Sequence, residues 1–142
     1  MGASSWHYVV DYQDDLPRVL AELQEQVLVA GDYYGSEGRQ SFTTMADLEA
    51  AKDTETFWEE GTHSILDMVD VVPPRGREGV AVVRFLRDRE LRTHFGTTRP
   101  ERADFDRFVA TDWYVNRWEG RATVLYKEGL PHQMAFWGVS GD

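Results

Sequence analysis

The chain has 142 residues, 42% hydrophobic and 13% aromatic, so it can bury the core of a domain and is not a disordered chain. Its formal net charge of −10 argues against non-specific binding to nucleic acid, because phosphate groups repel an acidic surface. It has no cysteine, no secretory signal and no apolar run near the roughly 20 residues of a membrane span, so we predict one cytoplasmic domain over residues 1–142.

Hydrophobic periodicity predicts strands and short helices along the whole chain. Residues 5–11 alternate between two faces, as a half-buried strand does. Leu16, Leu20 and Leu23 recur at helical spacing, and Gly31 ends that helix. The other predicted elements are, in chain order, helices at 45–51 and 54–60, strands at 65–72 and 79–85, a helix at 86–95, a helix beginning near 98, and strands at 121–127 and 133–139.

Capping and turn signals set the predicted boundaries. Thr44 with Asp47, and Thr98 with Glu101, have the spacing of capping boxes at helix starts. Residues 128–131 predict a hairpin loop longer than two residues between the last two strands. The order of elements predicts an α+β domain with a mainly antiparallel sheet, helices packed on one face, and a C-terminal β-hairpin.

Charge is distributed unevenly along the chain. Residues 1–74, which we call the acidic segment, carry fifteen Asp or Glu against three Lys or Arg, a net charge of −12. Residues 75–107, which we call the Arg-rich segment, carry nine Arg against six acids, a net charge of +3. Such a separation indicates recognition of a partner rather than a uniformly solvated surface.

Arg84 and Arg87 are the candidate binding residues of the Arg-rich segment. Their planar guanidinium groups suit an anionic ligand or an acidic protein surface. Two alternatives need no ligand. One is a solvated helix face with weak ion pairs, and the other is packing of the Arg-rich segment against the acidic segment of the same chain.

Glu60, His63 and Asp67 form the most enzyme-like cluster. On one helix, Glu60 and His63 would share a face, and on a strand His63 and Asp67 would do so. A histidine beside a carboxylate can serve acid–base chemistry, whereas the structural alternative is a histidine hydrogen-bonded to a nearby loop. The histidine spacings predict no metal site, and no glycine-rich phosphate loop is present, so no cofactor is predicted.

Aromatic residues near exposed acids form a second group of candidates. Phe57 and Trp58 stand beside Glu59, and Tyr33 and Tyr34 lie in a predicted loop. We expect Tyr33, Tyr34 and Trp58 to lie at the surface, where rings bordered by acids suit an interface with a basic protein. Alternatively, these rings line a pocket for an aromatic or cationic small molecule.

Three strings of this sequence resemble small uncharacterised proteins of high-GC actinobacteria. They are Trp6-His7-Tyr8, Thr62-His63-Ser64-Ile65-Leu66-Asp67, and Ala135-Phe136-Trp137-Gly138-Val139-Ser140-Gly141-Asp142. The resemblance covers both ends and the centre of the chain, and it implies no activity, fold or site. It agrees with the preference for Arg over Lys and with a cytoplasmic location.

These patterns favour a small acidic protein that binds a basic or cationic protein partner, as immunity proteins and antitoxins of this size and charge do. The alternative is a small-molecule-binding protein or an enzyme in which His63 acts with Asp67 or Glu60 in an aromatic-lined pocket. A third interpretation is a homo-oligomer, in which the Arg-rich segment of one copy contacts the acidic segment of another. Neither nucleic acid nor a membrane is an expected partner.

Overall fold

The computed structural model describes residues 3–38 and 40–141, which form an α+β fold with five α-helices and a five-stranded sheet. The elements are β1 (Ser5–Asp11), α1 (Leu16–Ala30), α2 (Met45–Lys52), α3 (Glu55–Glu60), a 3₁₀ turn (Ile65–Asp67), β2 (Asp70–Val72), β3 (Val82–Phe85), α4 (Asp88–Phe95), α5 (Arg102–Val109), β4 (Glu119–Lys127) and β5 (Leu130–Val139).

The sheet is mixed, which corrects the prediction of a mainly antiparallel one. Its strand order is β1-β5-β4-β3-β2. β5 runs antiparallel to both of its neighbours, whereas β4 with β3 and β3 with β2 are parallel pairs. The helices α4 and α5 lie in the connection from β3 to β4, and a connection of this length lets two neighbouring strands run in the same direction.

Helices cover both faces of the sheet, not one face as predicted. Successive residues of β5 enter different apolar clusters, because strand side chains alternate between faces. Met134 and Phe136 pack with α1, α2 and α3, whereas Ala135 and Trp137 pack with α4 and α5. The second half of β5, residues 134–138, is therefore buried on both sides of the sheet.

Local signals in the first half of the chain are confirmed. The Asp15 carboxylate accepts from the Arg18 N–H at 3.2 Å at the start of α1, and Gly31 ends that helix in the left-handed region. The Thr44 hydroxyl accepts from the Asp47 N–H at 3.2 Å and the Asp47 carboxylate accepts from the Thr44 N–H at 3.1 Å, which completes the predicted capping box. These elements follow from interactions within a few residues of chain.

Three predicted boundaries are wrong. Residues 65–67 form a 3₁₀ turn and not the start of a strand, because a short, mostly apolar segment interrupted by Asp67 and Asp70 has no periodicity that separates the two. α5 begins after Glu101, whose N–H donates to the Asp104 carboxylate at 2.8 Å. The capping box therefore lies three residues after the predicted pair of Thr98 and Glu101. The hairpin loop has only two residues, Glu128 and Gly129, both with the positive φ typical of a type I′ turn.

Candidate functional site

A tight turn at residues 61–67, which we call the 61–67 turn, follows α3 directly. Gly61 ends α3 with a φ of 67°, a conformation that residues with a Cβ rarely adopt. His63 has a φ of 54°, and the Ser64 hydroxyl accepts from the Leu66 N–H at 3.1 Å to start the 3₁₀ turn. The chain thus reverses within a few residues and places its polar side chains inside the turn.

Asp67 is a buried carboxylate inside the 61–67 turn, with 1% of its surface exposed. Its Oδ1 accepts from the Thr62 N–H at 2.6 Å and from the Thr62 hydroxyl at 2.8 Å, while Oδ2 has no hydrogen-bond partner among the described residues. A Cβ at Gly61 would lie 3.0 Å from both carboxylate oxygens. Burial raises the pKa of Asp67, and the two hydrogen bonds from Thr62 oppose that shift.

A buried chain of hydroxyl groups connects Ser64 to Asp67. The single hydroxyl proton of Thr62 is donated to Asp67, so the Ser64 hydroxyl donates to Thr62 Oγ1 at 2.7 Å. Thr62 and Ser64 are 0% and 1% exposed. Neither hydroxyl can reach a substrate in this arrangement, and the chain instead supports the carboxylate from within the fold.

Lys52 is a buried charged residue that the sequence prediction missed. Its Nζ donates to the Met68 carbonyl at 2.8 Å, and burial lowers the pKa of this lysine, although the Glu49 and Asp67 carboxylates oppose the shift. Lys52 lies four residues after Leu48, which is fully buried on α2. Helical spacing therefore places Lys52 on the buried face, and this was the signal in the sequence.

His63 lines a cleft beside β1 and is close enough to Asp67 for its electrostatic interaction to oppose the rise in the pKa of that carboxyl. The cleft has a volume of about 270 Å³ and is lined by Ser5, Trp6, His7, Tyr8, Asp32 and His63. The imidazole stacks on the Tyr34 ring at 4.6 Å between centroids, and its Nδ1 lies 3.2 Å from the Ser4 hydroxyl. Because both hydrogen bonds to Asp67 come from Thr62, no hydrogen bond joins His63 to that carboxylate.

Backbone geometry explains why the predicted cluster does not form as expected. Glu60 is the last residue of α3, and Gly61 interrupts the helix before His63, so Glu60 and His63 do not share a helical face. Residues 63–67 are also not extended, so the strand arrangement of His63 and Asp67 is absent. Glu60 is half-buried and Asp67 faces inward, which gives the three residues different environments within one short segment.

The predicted contact aromatics divide between the core and the surface. Phe57 is 3% exposed and belongs to the core, and Tyr33 is half-buried. Trp58 is also half-buried, and its indole N–H donates to a backbone carbonyl of α2 at 2.8 Å. Tyr34 is 49% exposed, and Glu59, the acidic candidate of this group, is also exposed. Tyr33 and Trp58 are thus only partly exposed, and Tyr34 is the ring of this group that is classed as exposed.

Arg84 is buried in β3, with 1% of its side chain exposed. It forms a bidentate pair with Glu90 at 2.8 Å, reaches Glu78 at 3.2 Å through Nε and Nη2, and donates to the Phe85 carbonyl at 3.0 Å. These bonds use all five N–H donors of the guanidinium group. They lower the pKa of Glu90 to about 2. Arg84 therefore links β3 to α4 and has no donor left for the anionic ligand that we predicted.

Three arginines of the Arg-rich segment form ion pairs with described residues, and all three pair within the segment itself. Arg87 is exposed, and its Nε donates to the Pro74 carbonyl at 3.0 Å. The ion pairs that arginines of this segment form with described residues are Arg84 with Glu78 and Glu90, Arg102 with Asp106, and Arg107 with Asp104. All of these carboxylates belong to the Arg-rich segment itself, so its ion pairs do not cover the acidic segment.

The acidic segment consequently presents a surplus of negative charge to solvent. Within it, Arg18 pairs with Glu22 at 2.9 Å, and the charge of Lys52 is buried. The exposed carboxylates of the segment are Asp11, Asp14, Asp15, Glu25, Asp32, Glu37, Asp47, Glu49, Asp53, Glu55, Glu59 and Asp70. Opposite charge within the described part of the chain does not balance this surface.

Asp67→Asn tests whether ionisation of the buried Asp67 carboxyl group lowers the stability of the folded protein. Because burial raises the folded-state pKa above its ordinary value of 3.8, ionisation of Asp67 costs stability as pH rises from 3.8 through the folded-state pKa. The amide oxygen of asparagine keeps both hydrogen bonds from Thr62. We expect the variant to gain stability relative to wild type as pH rises from 4 to 7, by about 1 kcal/mol.

Urea denaturation at several pH values measures this difference, and Asp70→Asn at an exposed carboxylate is the matched control. A stability difference that stays constant with pH would contradict the effect assigned to burial of Asp67.

Comparisons with protein-family models, with curated proteins and with solved structures found no match to this chain. Within residues 3–38 and 40–141, no three His, Asp or Glu side chains converge in a way that could hold a metal ion. No helix in the same ranges has both the length and the apolar character needed to cross a membrane.

Proposed function

We propose that this protein acts by binding a basic protein partner through the surface of its acidic segment. The observation that carries the proposal is that the ion pairs of the Arg-rich segment with described residues do not reach the acidic segment, most of whose carboxylates are exposed. A surface of one charge sign accelerates encounter with a partner of the opposite sign. The exposed ring of Tyr34 supplies an aromatic anchor of the kind that dominates interface energies.

The helices α2 and α3 contribute the densest part of this surface. Glu49, Asp53, Glu55 and Glu59 are all exposed within eleven residues of chain. The single lysine of these helices, Lys52, is buried and does not offset them at the surface. This part of the acidic segment is therefore where substitution should change the association rate most.

Reversing two charges on α2 and α3 is expected to slow association with the partner. The assay uses the protein that co-purifies at low ionic strength, and it measures the association rate constant by a surface biosensor. For wild type, raising the salt concentration from about 20 to about 300 mM should slow association about tenfold, because the attraction is screened. Glu49→Lys with Glu59→Lys should slow association at low salt by a similar factor and flatten the salt dependence.

Asp112→Lys with Glu128→Lys is the matched control, since it makes the same change in net charge at exposed residues outside the acidic segment. An association rate that is insensitive to salt would contradict the proposal. Equal slowing by both pairs of substitutions would show that net charge, and not the surface of the acidic segment, controls association.

A further inference from the structure

The strand β1 forms one edge of the sheet and is paired on one side only. It pairs with β5 along its full length, without a register shift. Just beyond the strand, the Tyr12 N–H donates to the His132 carbonyl at 3.1 Å, so the even-numbered residues face β5 in the alternating antiparallel pattern. The backbone groups of the odd-numbered residues therefore point outward, and none of them bonds to another described residue. These residues are Ser5, His7, Val9 and Asp11.

This edge lacks several of the features that protect exposed strands from pairing, although one charged residue, Asp11, lies at its end. Proteins prevent pairing at an edge with proline, lysine, a bulge or a very short strand. β1 has seven residues, and its sequence SWHYVVD contains neither proline nor lysine. Its outer backbone is therefore available to hydrogen-bond an additional strand.

Open space follows the same edge along the whole of β1. The cleft beside Ser5 to Tyr8 has a volume of about 270 Å³. A second cleft of about 340 Å³ continues along Val9 to Asp11 and is bounded by α1. Together they accompany a strand that spans roughly 20 Å, which is the length of a seven-residue extended peptide.

The charge of these clefts selects the occupant. The carboxylates among the lining residues are Asp11, Glu22 and Asp32, and neither Lys nor Arg is among the described residues that line either cleft. Of the three, Glu22 is paired with Arg18 at 2.9 Å, while Asp11 and Asp32 are exposed. A second copy of this chain would bring another net charge of −10 to the same edge, so charge complementarity favours a basic segment over self-association.

We propose that the outer edge of β1 binds an extended, Lys- or Arg-containing segment of the partner as an added β-strand. Backbone hydrogen bonds to the odd-numbered residues of β1 hold the segment, and basic side chains lie near Asp11 and Asp32. This inference rests on the proposed function, because it identifies the part of the acidic segment on which the basic partner docks.

The first test uses a synthetic peptide as the probe. An acetylated and amidated heptapeptide of alternating lysine and valine is titrated into the ¹⁵N-labelled protein at low salt, to about 1 mM. We expect shifts concentrated at the amides of β1, with slower hydrogen exchange at His7 and Val9. A peptide N-methylated at alternate residues cannot complete the ladder and should bind at least about fivefold more weakly. Absence of shifts at β1 would overturn the proposal, as would equal binding of a glutamate–valine peptide.

The second test uses Val9→Pro. The Val9 N–H points away from β5, so proline at this position removes an outward donor without removing a bond of the existing ladder. Val9→Thr keeps the donor and is the matched control. We expect the proline variant to bind the lysine–valine peptide at least about fivefold more weakly, and the threonine variant to bind within about twofold of wild type. The N-methylated peptide tests the same contact on the wild-type protein if the proline variant does not fold.

The two tests separate this inference from the proposed function. Salt-dependent association of the co-purified partner that is unaffected by Val9→Pro would overturn the assignment to β1 and leave the proposed function intact. Salt-independent association that Val9→Pro weakens would instead overturn the proposed function and the choice of a basic occupant. A wild-type dimer that Val9→Pro converts to a monomer would show that a second copy occupies the edge, and would overturn the proposal.

Discussion

Replacing Arg84 with alanine is expected to lower the free energy of unfolding by about 3 kcal/mol. The variant loses the buried pairs of Arg84 with Glu90 and Glu78 and leaves a cavity against β3. The two carboxylates are 29% and 47% exposed, so they are partly rehydrated, which keeps the loss at the lower end of the range for buried pairs. Denaturant titration with the m-value monitored measures the change.

The same variant carries a pH signature. The pKa of Glu90 falls from its ordinary value of 4.5 to about 2 when the protein folds, chiefly through its hydrogen bonds with Arg84. The stability from this pair is therefore fully present above pH 4.5 and is lost as pH falls through 2. We expect the difference between wild type and Arg84→Ala to narrow over that range.

Arg87→Ala is the control for the denaturant measurement, because Arg87 is exposed and its described side-chain bond is to a backbone carbonyl. Its loss should cost well under 1 kcal/mol. If both substitutions cost the same, the burial of Arg84 would not be the source of its effect.

Gly138→Ala is expected to destabilise the fold by about 2–3 kcal/mol through overpacking. Gly138 is the direct cross-strand partner of Trp6, and a Cβ at this position would lie 2.2 Å from the indole ring. The Trp6 ring is 5% exposed. It also packs closely against Gly120 on β4, where an added Cβ would lie 3.1 Å from the indole. A rigid indole in this position cannot move aside without a shift of the β1 backbone.

Gly79→Ala is the matched control, because a Cβ at Gly79 would meet no atom within 4 Å and this residue does not have a positive φ. We expect its effect on stability to stay within about 0.5 kcal/mol. Denaturant titration and near-ultraviolet circular dichroism of the indole band provide the measurement. A neutral Gly138→Ala with an unchanged indole band would contradict the packing of Trp6 against β5.

The sequence was enough to locate much of the candidate site along the chain, but not to predict the directions of its side chains. The pattern brought His63 and Asp67 into one short segment, and the structure places both residues in the 61–67 turn. It did not indicate that Asp67 faces inward to Thr62, since that orientation depends on the left-handed backbone at Gly61 and His63. Contacts with β1 and Tyr34, which are distant in sequence, decide what surrounds His63.

The buried charged residues also show that sequence does not identify the contacts that a side chain makes in the fold. Arg84 and Lys52 carry polar side chains at positions that the strand and helix periods place on buried faces. Composition suggested solvent or a ligand for Arg84, whereas Glu78 and Glu90 from neighbouring segments supply its partners. A sequence pattern shows that a residue is polar, and only the packed structure shows which groups form its hydrogen bonds.

The amino-acid sequence by itself determined the extent of β1, the caps of α1 and α2, the position of the C-terminal hairpin and the separation of charge between residues 1–74 and 75–107. These depend on neighbours a few residues apart or on composition alone. Tertiary structure decided the parallel pairing of β3 with β4, the burial of Arg84 and the unpaired edge of β1. The strand pairing and the free edge depend on segments that are far apart in the chain, and Arg84 depends on the fold of the residues around it. Hydrophobic periodicity identifies a buried face without naming the element that covers it.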